Sequence, residues 1–120
     1  MRDPKRLEVL EHAAELAELT YRATRGFPSD ERFGLTSQMR RAAVSVGSNL
    51  TEGCSRSTDN AFLNFVQIAL GSCLELDYQA MIAERLRFGD ASTLAELREL
   101  TFRLKQMLAR LLSVVGKRRA

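Results

Sequence analysis

The stretch from Phe33 to Gly53 constrains the fold more than any other, because its middle reads as a helix that is unusually small and polar for a protein interior. At about 100° per residue, Met39, Ala42, Ala43, Val46 and Leu50 share one face, and Gln38, Arg41, Ser45, Ser48 and Glu52 share another. Small residues let neighbouring backbones come close. A polar stripe beside them needs partners wherever it is buried. The rest of the chain has to supply helices that meet both demands.

Three further segments have helical periodicity. Asp3-Pro4 is a helix start, with the carboxylate as cap and proline at the first position, and the helix is expected to run over about residues 4–25, where Gly26 and Phe27-Pro28 end it. Its charged residues occupy roughly 100° of arc, so its apolar face, including Leu10, Ala13, Leu16, Leu19 and Tyr21, is wider than one bundle core needs. The central helix, about 37–53, is expected to be capped by Thr36 or Ser37. Ser57 or Thr58 caps a long third helix, about 58–88, whose apolar residues cover more than half its circumference. A Thr93–Glu96 capping box opens a fourth, about 93–115, with Leu97, Leu100, Leu104, Met107, Leu108, Leu111 and Val115 on one stripe, ending near Gly116. Short connections imply one all-α domain over residues 1–120, an antiparallel up-and-down four-helix bundle. The surplus apolar arc is expected to be used in a homo-oligomer, with Leu16, Leu19 and Phe102 as contacts.

The 120 residues can bury one core without staples. Cys54 and Cys73 are too far apart along the helices to form a disulfide and are expected to be free thiols in a reducing cytoplasm. No basic-then-apolar leader opens the chain. The charge-free run from Asn60 to Leu74 is too short and too often interrupted by amides to span a membrane.

Enzymatic chemistry finds little material here. Di-metal bundle sites need carboxylates and Glu-x-x-His pairs, whereas this chain has the single histidine His12. Glu75 and Asp77 point about 200° apart and form no dyad. Neither cysteine has a histidine partner, although Cys54 lies near Arg56 and a helix start. No catalytic residue, metal or cofactor is expected. The polar stripe is read as structural: Arg41, Ser45, Asn49, Glu52 and Glu75 form a network in which Arg41 pairs with Glu75 across the hairpin.

Charge is distributed unevenly. Residues 1–31 carry five basic and seven acidic side chains, whereas residues 98–120 carry seven basic side chains against Glu99 alone. Arg98, Arg103, Lys105, Arg110, Lys117, Arg118 and Arg119 are therefore the candidate nucleic-acid contacts. Arg98 and Lys105 flank Phe102, an arrangement that suits base stacking, although a subunit contact is the preferred reading of Phe102.

The runs Phe27-Pro28, Glu31 to Val46, Ser48-Asn49-Leu50-Thr51-Glu52-Gly53 and Ala69-Leu70-Gly71-Ser72 with Glu75-Leu76 closely resemble the bacterial four helix bundle protein family, first described from intervening sequences of 23S ribosomal RNA genes. The resemblance covers nearly the whole chain. It departs at Gly47, where the family usually has proline, and at Thr51, where it usually has alanine. It implies a left-handed bundle assembled as a ring, commonly a pentamer. Through the related accessory proteins of diversity-generating retroelements, it also implies association with nucleic acid and a reverse transcriptase. The function expected is therefore a non-enzymatic accessory protein binding RNA or DNA through a basic surface of a homo-oligomeric ring. The rival is a protein-interaction scaffold without nucleic-acid contact.

Overall fold

The computed structural model describes residues 4–119, with side chains for 6–117. It contains α1 (Pro4–Thr24), a short 3-10 turn (Ser29–Glu31), α2 (Leu35–Cys54), α3 (Asp59–Leu86) and α4 (Ala91–Arg119). Each helix packs against two neighbours, in the order α1, α2, α3, α4 and back to α1. The result is an all-α antiparallel bundle measuring 47 × 22 × 21 Å.

Periodicity selects the core. Met39, Ala42, Ala43, Val46 and Leu50 of α2 are all buried, facing Val66, Ala69, Cys73 and Leu76 of α3 and the stripe Leu94, Leu97, Leu104 and Leu108 of α4. Helix α1 contributes Val9, Ala13, Leu16, Leu19 and Ala23. Leu16 and Leu19 are thus core residues and not oligomer contacts: α1 turns the 9/13/16/23 side of its wide arc inward and leaves Leu7 and Tyr21 outside. Three of the buried threonines satisfy themselves locally. Thr20 donates to the Leu16 carbonyl at 2.7 Å, Thr24 to that of Thr20 at 2.8 Å and Thr101 to that of Leu97 at 2.7 Å, the back-bonding available to a mid-helix hydroxyl.

Helix ends depart from expectation at three places. The Glu31 carboxylate reaches forward from the 3-10 turn and accepts from the Leu35 amide at 3.0 Å, so α2 starts two residues early and neither Thr36 nor Ser37 caps it. Asp90 accepts from the Ser92 hydroxyl at 2.7 Å, the Thr93 hydroxyl at 2.8 Å and the Thr93 amide at 2.9 Å, which replaces the Thr93–Glu96 box and, through Ser92 first, holds the Asp90 carboxyl below its usual range. Helix α4 continues through Gly116, since one glycine costs a helix only about 1 kcal/mol and Val115 is buried beside it. Thr58 caps α3 as expected, accepting from the Ala61 amide at 3.2 Å. Asp3, the expected cap of α1, lies outside the described residues.

The α3–α4 turn is built on two left-handed residues, Arg87 at φ 59° and Gly89 at φ 67°. Gly47 is different. It sits inside α2, and a Cβ there would lie 3.5 Å from the Ala13 side chain, an ordinary contact. Gly47→Ala is expected to stabilise the protein by about 0.5–1 kcal/mol through helix propensity, read as a higher urea midpoint. A lowered midpoint would show that α1 and α2 need the missing methyl space.

Candidate nucleic-acid interface

The basic residues of α4 do not form one free surface. Arg98 donates from Nε to Asp77 Oδ1 at 3.1 Å and from Nη1 to Glu84 Oε1 at 2.7 Å, which ties α4 to α3 and raises its own pKa. Its charge is locally compensated, which sequence spacing alone did not reveal. Phe102 is 52% exposed and Lys105 Nζ lies 5.0 Å from its ring centroid, so that half of the expected cation–aromatic group is present. Arg103 shares a groove between α1 and α4 with Glu15, Glu18, Glu96 and Glu99. Arg110 and Lys117 are exposed, and the side chains of Arg118 and Arg119 lie outside the described residues.

The polar stripe of α2 is partly a seam. Ser45 and Ser72 hydroxyls meet at 2.9 Å across α2 and α3, and Asn49 Nδ2 donates to the Ser45 carbonyl at 2.8 Å and to its hydroxyl at 3.0 Å. The other expected members stand apart. Leu76 takes the fully buried position on α3, so Glu75, one residue earlier and about 100° away, faces outward. Arg41 is exposed as well, and no ion pair joins it to Glu75. Glu52 pairs instead with Arg56 at 3.8 Å.

What Arg41 joins is a hollow of about 620 Å³ between the end of α1, the 3-10 turn and the first half of α2. Arg32, Arg40 and Arg41 line it with Tyr21, Phe33 and the hydroxyls of Thr36, Ser37, Ser45 and Ser48, and no lining residue is acidic. The Arg40 guanidinium lies 4.4 Å from the Tyr21 ring centroid and donates from Nε to Thr24 Oγ1 at 2.9 Å. Arg32 lies 5.3 Å from the centroid of Phe33. None of the three arginines forms an ion pair with a described residue. Sequence reading placed Arg41 in the structural stripe and missed Tyr21, Arg32 and Phe33, which the reversal between α1 and α2 brings alongside. The available signal was Arg32-Phe33, a cation beside an aromatic, ahead of a helix rich in hydroxyls.

Among the described residues no group of three or more His, Cys, Asp or Glu could hold a metal ion, and no helix is long and apolar enough to cross a membrane. His12 lies 3.8 Å from Glu8 and 3.6 Å from Glu15 on its own helix. Cys54 and Cys73 are free thiols. Burial, reinforced by the nearby Asp77 charge, pushes the Cys73 thiol from an ordinary 9.0 up to about 12. Because its folded pKa exceeds the unfolded one, this thiol adds no pH dependence to stability well below pH 9 and lowers stability between pH 9 and 12, where only the unfolded chain releases the proton. The expected slope is about 1.4 kcal/mol per pH unit. Urea titrations across this range should show it, and Cys73→Ala should remove the slope; an unchanged slope in the variant would assign it to other groups.

The fold and its surface define a small all-α bundle with a cationic hollow. The chain belongs to the 23S rRNA-intervening sequence protein family, whose model matches residues 5–110. Its fold is similar to the crystal structure of a protein of unknown function from the S23 ribosomal protein family of Bacteroides thetaiotaomicron, with a TM-score of 0.83 and 18% identity, covering 91% of this chain and 98% of that one. No curated protein matches the sequence.

Proposed function

We propose that the protein is a non-enzymatic, nucleic-acid-binding accessory protein that works as a homo-oligomeric ring and binds chiefly through phosphates. The observation that carries this reading is the acid-free hollow with its three guanidiniums, none of them in an ion pair with a described residue. Arginines without carboxylate partners are matched to phosphate, which they hold through paired N–H donors. The family name points towards ribosomal RNA genes and is consistent with such a ligand. Exposed Arg110 and Lys117 extend the positive surface on α4, and a ring repeats every cation once per subunit. Exposed Leu74 and Phe102 supply apolar surface for the ring contacts.

Titration of a structured RNA at several salt concentrations tests the reading. Binding is expected to weaken steeply with salt, and Arg32→Gln with Arg41→Gln together should reduce the logarithmic slope by about 2. Absence of binding at low salt would remove nucleic acid as the ligand and leave the scaffold alternative. Light scattering tests the ring separately, and a monomer at all concentrations would sink it.

A further inference from the structure

Phe33 is 87% exposed, more than any other large apolar side chain among the described residues. It stands at the rim of the hollow, immediately before the first turn of α2, with Arg32 beside its ring. Deeper in the wall, Thr36 is only 9% exposed, and its hydroxyl makes no hydrogen bond with a described residue. Thr36 and Ser37 occupy the first turn of a 20-residue helix, where backbone amides lack intrahelical acceptors. Glu31 satisfies the Leu35 amide alone. Thr36 and Ser37 of this turn line one space with Arg32, Arg40 and Arg41, and Phe33 stands at its edge.

These groups differ in what they recognise. The first turn of α2 with Arg40 and Arg41 suits a phosphate. A solvent-exposed phenyl ring beside a guanidinium suits a planar base, and only an unpaired base offers its face. Arg40 is held in place by Tyr21 and Thr24 before any ligand arrives, which lowers the ordering cost of binding.

We infer that the hollow takes a nucleotide of an unpaired nucleic-acid strand, its base stacked on Phe33 and a neighbouring phosphate held by Arg40, Arg41 and the first turn of α2. This rests on the nucleic-acid reading above and adds that single strand is preferred to duplex.

Fluorescence anisotropy of the full chain with labelled oligo(U), oligo(dT) and a blunt duplex of equal length tests it, the first two distinguishing RNA from DNA as the source of the strand. Single strands are expected to bind about tenfold or more tightly than duplex, and Phe33→Ala to weaken single-strand binding about tenfold. Tyr78→Ala, which removes an exposed ring on α3 away from the hollow, should leave it unchanged. Circular dichroism checks that both variants fold, as expected for exposed positions. If Phe33→Ala costs no more than Tyr78→Ala, or duplex binds as tightly as single strand, the stacking site is overturned while phosphate-led binding stands. If neither oligonucleotides nor structured RNA bind at low salt, both readings fall.

Discussion

Leu16→Ala is expected to destabilise the protein by about 2–5 kcal/mol, the cost of a core leucine whose space is only partly recovered by relaxation. Leu16 is 0% exposed and sits midway along α1, so the cavity would open against α2 and α4 at once. The loss should appear as a lower urea midpoint with an unchanged denaturant slope. It should also be independent of protein concentration, because Leu16 is buried within one chain. A loss below about 1 kcal/mol, or one that grows on dilution, would mean that α1 is docked differently or that its burial depends on a second subunit.

Gly53→Ala should lower stability by about 1–3 kcal/mol, the usual range for overpacking, even though alanine is the better helix former by about 1 kcal/mol. A Cβ at Gly53 would lie 2.9 Å from the Phe65 Cβ and 3.5 Å from both the ring and the carbonyl of Phe62. The Phe65 Cβ is fixed to the α3 backbone and cannot swing aside, so the last turn of α2 and the first turns of α3 would have to part. Gly53 and Gly47 lie on one helix and should respond with opposite signs. Equal stabilisation at both would show that the α2–α3 approach is looser than the structure has it.

The Met39–Leu50 stripe and the leucines of α4 were readable because burial follows a period that the chain writes directly. Thr58 was readable as a cap because its partner is three residues away. Glu31 was not, since it caps α2 from across a separate turn. The pairing of Arg41 with Glu75 failed on a rotation of one residue, which periodicity does not resolve when Leu76 competes for the inward position. Arg98 found Asp77 and Glu84 because α3 and α4 adopt one particular register, and no local pattern specifies that register. The hollow was hidden for a related reason: Tyr21, Arg32 and Arg40 become neighbours only after the chain reverses.

Arg40 does two things with one side chain. It walls the hollow, and by covering Tyr21 and bonding Thr24 it fastens the last turn of α1 to α2. Detachment of that turn and dismantling of the hollow are therefore one event, with a single opening free energy. An occupant that grips Arg40 must slow amide exchange in the final turn of α1, far along the sequence from Phe33. The end of the first helix thereby becomes a reporter on whether the hollow is filled.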